Sequence, residues 1–261
     1  MYFSTKGKTL LKLKRKGFNV PNLLIFTQEQ FKKNKFEILK KIKKSFKKKI
    51  AIRSSALNED SNKKSLAGKY LSVLDIESKN FEEIEKNILK VFSTYSKNLQ
   101  NQIIIQEMVR DVFISGVCTT VDLHNYLPVI NVNYDKGSNT DVVTSGFKNS
   151  FTITIFDKKF KKGKNKYFDN LIILIRKLKK IFKPNQLDIE FAIDKFAKVH
   201  LLQVRKLIIP KNKNLVSEKF YYSNLLKLEK KIKKLQEKNY DLLGNYNFFG
   251  VMPDWNPAEI I

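Results

Sequence analysis

The side chains best suited to chemistry lie on two short stretches near residue 190. The first runs LDIEFAI from residue 187 to 193, and the second runs VHLLQVR from residue 199 to 205. Successive side chains of an extended strand alternate between faces, so Asp188 and Glu190 should share one face of a hairpin. Gln203 and Arg205 should likewise share a face of the return strand. Carboxylate and amide oxygens suit Mg²⁺, and guanidinium fits phosphate, so the pattern predicts a seat for a hard cation and the phosphates that it bridges.

A simpler interpretation of the same hairpin remains open at this point. The solvent-facing side of any hairpin carries charged and polar residues, whether or not it binds a ligand. The choice between the two interpretations depends on other segments of the chain.

A series of short helices and strands must position these side chains. Thr27 with Gln30 forms a capping-box signature, which predicts a helix that continues to Phe46. A strand over Ile50–Arg53 would place Arg53 at its carboxyl end, where α/β layouts bind ligands. The remaining apolar patterns predict helices over 9–16, 81–95, 168–182 and 217–238, and strands over 23–26, 103–109, 113–122, 128–134 and 151–156.

The charge balance is the most unusual feature of the composition. The 51 Lys and Arg residues exceed the 25 Asp and Glu residues, which gives a net charge of +26. Such a balance is typical of proteins that bind nucleic acid or anionic membranes. The lysines are spread through nearly every segment, however, and the usual nucleic-acid motifs are absent from the sequence. We therefore expect no specific nucleic-acid partner, although nonspecific binding to polyanions is expected in vitro.

The single cysteine and the apolar runs indicate the compartment. Cys118 lies in an apolar run, where we expect a buried and inert thiol, and one cysteine excludes an internal disulfide. No apolar run approaches the roughly 18 residues of a membrane span, and the first residues lack the apolar core of a signal peptide. We expect a cytoplasmic protein without a membrane span.

Five groups of residues, in order along the chain, resemble motifs of one family. They are Lys6-Gly7 with Leu10; Val20-Pro21 with Thr27; Ala51–Ala56 with Glu59-Asp60 and Ser65–Gly68; Gln106–Val109 with Ser115–Val117 and Thr120; and Asp188–Asp194 with Gln203–Arg205. Together they resemble the ATP-grasp nucleotide-binding domain of the phosphoenolpyruvate synthase and pyruvate phosphate dikinase family. The resemblance implies an α+β fold over residues 1–210, with two mixed-sheet subdomains, roughly 1–102 and 103–210, and the nucleotide between them.

The same resemblance implies a role for each candidate residue. Lys6, Arg53 and Arg205 would contact the phosphates of ATP, and Arg53 and Arg205 would also neutralise charge during catalysis. The segment Gln106-Glu107-Met108-Val109 would lie against the adenine, largely through backbone groups. Glu190 and Gln203 would bind Mg²⁺, with Asp188 as a weaker third ligand. Without the motif, an ion pair of Arg53 with Glu59 or Asp60 is an equally good hypothesis.

In the resembled family, phosphate passes from ATP to a histidine on a swivelling domain and then to an acceptor. Neither His124 nor His200 has the sequence setting of that histidine, so we expect both to be structural. A phosphohistidine domain would have to come from another polypeptide or from missing C-terminal domains. Residues 211–261 form a linker, an amphipathic helix and an apolar tail, and we expect them to lead to such a domain.

Several departures from the family pattern keep a rival hypothesis open. Leu71 stands where the family has a glutamate, Asp141 lies in an altered glycine loop, and the turn 194–198 lacks the usual glycine. The altered loop resembles a divergent branch, the glutamine kinases that begin phosphoramidate decoration of bacterial capsules. Leu71, the altered loop and the missing histidine domain also fit a non-catalytic module of the same fold that recruits a protein or polyanion partner.

Overall fold

The fold is known from a computed structural model. It describes residues 1–56, 71–95, 98–137, 151–157, 160, 163, 165–183, 186–210 and 216–235. The described helices are α1 (Lys6–Arg15), α2 (Gln28–Lys33), α3 (Lys35–Ser45), α4 (Phe81–Ser93), α5 (Lys166–Ile181) and α6 (Glu218–Leu235). The described strands are β1 (Leu23–Thr27), β2 (Ile50–Ser55), β3 (Ser72–Ile76), β4 (Gln102–Glu107), β5 (Val112–Thr119), β6 (Ile130–Lys136), β7 (Phe151–Ile155), β8 (Leu187–Asp194) and β9 (Val199–Lys206).

The strands form two sheets within one compact unit, which comprises Met1–Asn125 and Val129–Lys213. The first sheet has the order β1-β4-β2-β3, and the second has the order β7-β6-β5-β8-β9. The chain therefore passes from the first sheet to the second after Glu107, rather than near residue 102. A second unit, Tyr126–Pro128 with Asn214–Ile261, contains α6, on which Leu228 is 51% exposed.

The prediction of mixed sheets is wrong, because every described strand pair is antiparallel. The reason is the position of β4. The helical crossover α2–α3 makes β1 and β2 run in the same direction, as in a mixed sheet, but β4 inserts between them and runs opposite to both. In the second sheet, β5–β6–β7 and β8–β9 are neighbours along the chain as well as in space, and such connections reverse the chain.

Two apolar cores support the sheets. In the first, α3 and α4 pack on the first sheet, with Ile42, Ile84 and Ile88 fully buried. In the second, Leu10 and Leu13 of α1 join residues of α5 and of the second sheet. Burying side chains of this size stabilises the fold by about 1.5–3 kcal/mol each. Since α1 packs into the core of the second sheet while its first residues bond to the first sheet, it ties the two sheets together.

Local signals explain where the helices begin and end. The predicted capping box is present: Thr27 Oγ1 accepts from Gln30 N at 3.1 Å, and Gln30 Oε1 accepts from Thr27 N at 2.8 Å. The predicted helix to Phe46 is broken at Asn34, whose φ of −131° is not helical. Asn is a weak helix former because its side chain competes for backbone groups, and the break separates α2 from α3.

Candidate functional site

The hairpin β8–β9 presents its polar side chains on one face, as the alternation predicts. Asp188 is paired with Arg205 across the hairpin, and Glu190 is paired with Gln203. On the opposite face, Ile189 and Val204 are buried in the core. The register shifts between Glu190 and Phe191, so β9 has one extra residue at this point. The hairpin prediction and the shared face are confirmed.

Arg53 links this hairpin to the first sheet. Its guanidinium group forms an ion pair with Glu190, whose side chain is 18% exposed, while that of Arg53 is 12% exposed. Arg53 Nη1 also donates to Gln106 Oε1 and to the carbonyl oxygen of Leu202, both at 3.2 Å. The sequence had predicted Arg53 at the carboxyl end of its strand. Because β2 continues to Ser55, Arg53 instead lies within the strand.

Residues 57–70, with Glu59, Asp60 and Gly68, lie outside the described part of the chain, as does the altered loop with Asp141. Glu190 is the acidic partner of Arg53 among the described residues. The pairing hypothesis from the sequence named other carboxylates. Sequence alone could not supply this partner, because Glu190 lies 137 positions away along the chain.

A second ion pair lies beside the first on the same hairpin face. Arg205 donates to Asp188 Oδ2 from Nε at 2.8 Å and from Nη2 at 2.7 Å. The two arginines thus hold the two carboxylates in adjacent positions. Phosphate oxygens would recognise the two guanidinium groups, and a hard cation would recognise the two carboxylates.

The two carboxylates differ in their pKa. Burial would raise the pKa of Glu190, but the charges of Arg53, Lys6 and Arg205 outweigh burial and lower it below its ordinary value. Burial raises the pKa of Asp188, and the attraction of Arg205 and Lys6 offsets this only in part. Glu190 is therefore the more firmly ionised of the two.

Lys6 reaches this cluster from the start of α1. Thr5 caps the helix, and Gly7 N donates to Ser55 Oγ at 3.2 Å. A Cβ atom on Gly7 would lie 2.6 Å from Ile25 Cδ1, so the glycine permits close packing of α1 on β1. This packing brings the first turn of α1 to the cleft, where the charge of Lys6 acts on both carboxylates.

The Arg53–Glu190 ion pair lines a cleft of about 500 Å³, part of it open to solvent. The lining includes several residues singled out from the sequence: Arg53, Gln106, Glu107, Met108, Val109 and Glu190. Sequence reasoning missed the apolar lining residues Leu74 and Leu202, since isolated apolar residues on strands carry no signal of their own.

Backbone donors of the segment Gln106–Val109 are already in use. Glu107 N donates to Asn22 O at 2.8 Å, and Met108 N donates to Lys49 O at 3.0 Å. The side chain of Gln106 is different. Arg53 can only donate, so Gln106 must turn Oε1 towards it, and the buried Nε2 atom then has no hydrogen-bond partner among the described residues. A buried donor of this kind is normally satisfied, which makes it a candidate ligand contact.

The oxygen donors fit a Mg²⁺ ion that also binds phosphate. No group of three or more His, Cys, Asp or Glu side chains with metal-binding geometry occurs among the described residues. Asp188, Glu190 and the amide of Gln203 would supply only part of an octahedral shell. Mg²⁺ commonly takes one or two carboxylates and completes its shell with substrate phosphates and water. The donor set therefore fits a metal that arrives with a nucleotide.

The remaining candidates have structural surroundings. Cys118 is fully buried, and burial raises the pKa of its thiol far above the ordinary value. Asp122 Oδ1 accepts from the backbone N of His124 at 2.9 Å, within a turn. His200 Nε2 bonds to Asp194 Oδ2 at 3.0 Å. In the described ranges, no helix is long and apolar enough to cross a membrane.

Comparison with known families identifies the domain. Residues 12–166, more than half of the chain, match the family described as pyruvate phosphate dikinase, AMP/ATP-binding domain. The chain belongs to this family. The match includes Arg53 and the segment Gln106–Val109 and ends before β8. The sequence motifs predicted an ATP-grasp fold of the α+β class. The family match and the two-sheet architecture confirm this prediction.

Solved structures similar to this dikinase-family domain share little sequence with it. D-alanine-D-alanine ligase from Helicobacter pylori is 14% identical, with a TM-score of 0.46 over 79% of this chain and 54% of the ligase. A protein from Pyrococcus horikoshii is 15% identical, with a TM-score of 0.48 over 79% of this chain and 92% of its own. A RimK-domain ATP-grasp protein from Sphaerobacter thermophilus is 10% identical, with a TM-score of 0.42 over 79% and 61%.

The chain thus spans about half the length of the Helicobacter ligase that it matches. No curated protein sequence matches the chain. The family membership establishes an AMP/ATP-binding domain.

Proposed function

We propose that this domain binds MgATP and passes phosphate to a histidine on a separate domain, as half of a phosphoenolpyruvate-synthase-like phosphotransferase. The observation that carries the proposal is the pair of arginine–carboxylate contacts at the cleft. Arg53 and Glu190 meet there from the two sheets, and Asp188 and Arg205 lie beside them. Phosphoryl transfer needs charge neutralisation and positioning, and these four side chains supply both.

Nucleotide binding would exchange the partners of these ion pairs. Arg53, Arg205 and Lys6 would turn to phosphate oxygens, while Glu190, Gln203 and Asp188 would turn to Mg²⁺. The positive and negative side chains of the cluster are close to balance before binding. The exchange therefore replaces buried arginine–carboxylate pairs with buried arginine–phosphate and carboxylate–metal pairs. An uncompensated buried charge would be costly in either state.

The adenine would lie at the other end of the cleft, beside the segment Gln106–Val109. Ala51, Leu74 and Leu202 offer an apolar slot for a planar ring. The unpartnered Nε2 of Gln106 could donate to a ring nitrogen, because aromatic ring nitrogens of adenine accept hydrogen bonds. This contact would add a side-chain element to a segment that the sequence predicted to act mainly through its backbone.

The proposed acceptor is a histidine on another domain, and the final acceptor in the glutamine kinase branch would be glutamine. Two observations support a separate histidine. His200 is held by Asp194, and His124 lies in the turn organised by Asp122. The altered glycine loop, with Asp141 in place of the family's glutamate, supports the glutamine kinase branch.

The alternative is a non-catalytic module that recruits a protein or polyanion partner. One specific observation favours it: Leu71, which stands in place of a family glutamate, packs against the core of the first sheet. The chain therefore offers an apolar contact where the family offers a carboxylate. Loss of one polar contact weakens catalysis but leaves the ion pairs of the cleft intact.

The experiment is a calorimetric titration with ATP in the presence and absence of Mg²⁺. The wild type should bind MgATP, and Arg205→Ala should bind it about 10–100-fold more weakly, as expected for loss of a charge-assisted contact. Arg176→Ala is the matched control, because Arg176 pairs with Asp157 outside the cleft. Absence of binding by the folded wild type would overturn the proposal.

A second measurement tests phosphoryl transfer itself. A protein with the family's histidine motif, encoded next to this chain, should acquire acid-labile phosphate from ATP when this domain is added. Transfer that persists with Arg205→Ala would show that the cleft is not its source.

A further inference from the structure

One end of the second sheet carries exposed aromatic rings. Because the sheet is antiparallel, the starts of β5 and β7 lie at the same end as the ends of β6 and β8. Three phenylalanines are exposed there: Phe113 by 40%, Phe151 by 50% and Phe196 by 75%. Apolar side chains normally leave water on folding, and a contiguous group of exposed ones marks an interaction site.

The rings are connected from the β8–β9 turn to the start of β5. Phe113 packs on Tyr167 of α5, with ring centroids 4.7 Å apart. Tyr167 Oη in turn donates to the carbonyl oxygen of Lys195 at 3.3 Å, and Lys195 directly precedes Phe196. The turn and α5 thus place Phe196 and Phe113 on either side of Tyr167.

The connection continues from β5 to the far edge of the sheet. Gly137 N donates to the carbonyl oxygen of Phe113 at 3.2 Å, so the end of β6 lies beside this ring. Phe151 is the cross-strand partner of Tyr134 on β6, and their rings stack at 5.5 Å. The aromatic patch consists of Phe113, Phe151, Tyr167 and Phe196. It crosses the ends of four strands that lie about 4.8 Å apart, so it is about 14 Å wide.

Lysines lie against most of the patch. Distances from Nζ to the ring centroid are 5.4 Å for Lys136 over Phe151, 5.4 Å for Lys195 over Phe196 and 5.3 Å for Lys166 over Tyr167. Lys195 also pairs with Asp111 at 3.2 Å, but both side chains are more than half exposed, and such pairs contribute little. Lys136 and Lys166 have no acidic partner among the described residues.

Exposed rings with neighbouring ammonium groups suit a ligand that alternates flat faces with anions. Single-stranded nucleic acid has this composition, since its bases stack on aromatic side chains while lysines bind its phosphates. A duplex keeps its base faces covered by stacking. Protein interfaces are depleted in lysine, so a protein partner fits this patch less well. Stacking on any base needs no sequence motif, and the net charge of +26 attracts every polyanion.

We propose that the aromatic patch binds single-stranded nucleic acid without sequence preference, with bases stacked on Phe113, Phe151 and Phe196. Lys136, Lys166 and Lys195 bind the phosphates between those bases. The patch lies apart from the Arg53–Glu190 cleft, and none of its rings lines that cleft. The inference is therefore independent of the proposed MgATP site.

The test separates stacking from charge by fluorescence anisotropy at about 0.15 M salt, where surface charges are screened within roughly 8 Å. The probes are labelled twelve-nucleotide strands of thymidine, of uridine and of abasic deoxyribose, and a thymidine–adenosine duplex of the same length. The wild type should bind the thymidine and uridine strands at least about fivefold more tightly than the abasic strand or the duplex. This is the lower limit expected from one stacked base.

The variants place binding on the patch. Phe151→Ala and Phe196→Ala should each weaken binding of the thymidine strand by about fivefold or more while leaving the abasic strand unaffected. Both rings are half exposed or more, so the variants should fold. Phe36→Ala is the matched control, because Phe36 is 73% exposed on lysine-rich α3 but lies outside the patch. Arg205→Ala should bind the strands like the wild type.

Each other outcome overturns the inference. Equal binding of the thymidine and abasic strands would show attraction by charge alone. Unchanged binding by both folded patch variants would place the strand elsewhere, and loss of binding in Arg205→Ala would place it in the cleft. Absence of binding to any strand would leave a protein as the partner of the patch.

Discussion

Glu190→Gln should separate the structural role of Glu190 from its role towards a metal. The substitution keeps the size of the side chain and one accepting oxygen but removes the negative charge that faces Arg53. Arg53 and Glu190 are 12% and 18% exposed. The pair is therefore largely buried, and its loss should be felt both in stability and in ligand binding.

The magnitude of the stability change follows from this burial. Removing one partner of a fully buried ion pair costs about 3–5 kcal/mol, whereas exposed pairs contribute about 0–1 kcal/mol. Because some solvent reaches this pair and glutamine can still accept from Arg53, we expect a loss of about 2 kcal/mol. For a domain of this size, that loss lowers Tm by about 4–8 °C.

The loss should also depend on pH. Burial opposes ionisation of Glu190, but Arg53, Lys6 and Arg205 lower its pKa below the ordinary value. A carboxyl with a lowered folded pKa stabilises the folded state above its unfolded pKa, and this contribution disappears as pH falls through the folded pKa. The wild type and the variant should therefore differ in stability at neutral pH and converge in acid.

Calorimetry measures the effect on binding. Mg²⁺ should strengthen ATP binding to the wild type, and Glu190→Gln should lose about 10–100-fold of this metal-dependent gain. Binding of metal-free ATP should be unchanged or tighter, because Arg53 is released from its carboxylate. Asp157→Asn removes a carboxylate paired with Arg176 outside the cleft and serves as the control. An unchanged effect of Mg²⁺ in the folded Glu190→Gln variant would refute the assignment of Glu190.

Three other substitutions or reactions test the same structure. Asp188→Asn should leave stability unchanged or raise it at neutral pH, because burial raises the pKa of Asp188 despite the charge of Arg205. Denaturant unfolding at pH 7 and in acid should show this gain in stability fading as pH falls through the raised pKa. Gly116→Ala should destabilise the second sheet by more than the roughly 1–3 kcal/mol of ordinary overpacking, because the new Cβ would lie 2.2 Å from the backbone oxygen of Asn133. Thermal unfolding measures the loss, and Gly7→Ala is the comparison because its new Cβ meets a movable side chain. The Cys118 thiol should react with a thiol reagent only at the rate of unfolding, and a fast reaction of the native protein would contradict its burial.

Several features of the site could be predicted from the sequence because they depend on local geometry. The alternation of side chains along a strand placed Asp188 with Glu190 and Gln203 with Arg205 before any fold was known. The capping box at Thr27 and the burial of Cys118 were likewise local. The ordered motifs predicted the nucleotide-binding family and the α+β fold, since those motifs combine residue type with order along the chain.

Other features depend on contacts between distant segments, and only the tertiary structure decided them. The pairing of Arg53 with Glu190 joins different sheets, and nothing within either strand specifies the other. Insertion of β4 between β1 and β2 made the first sheet antiparallel. The sequence could not show this, because strand order depends on how the helices pack and not on the sequence of any one strand. The unequal pKa shifts of Asp188 and Glu190 arise from the burial of each carboxylate and its distances to Arg53, Arg205 and Lys6. Residue type determined what each side chain can bind, while packing decided which partners it meets.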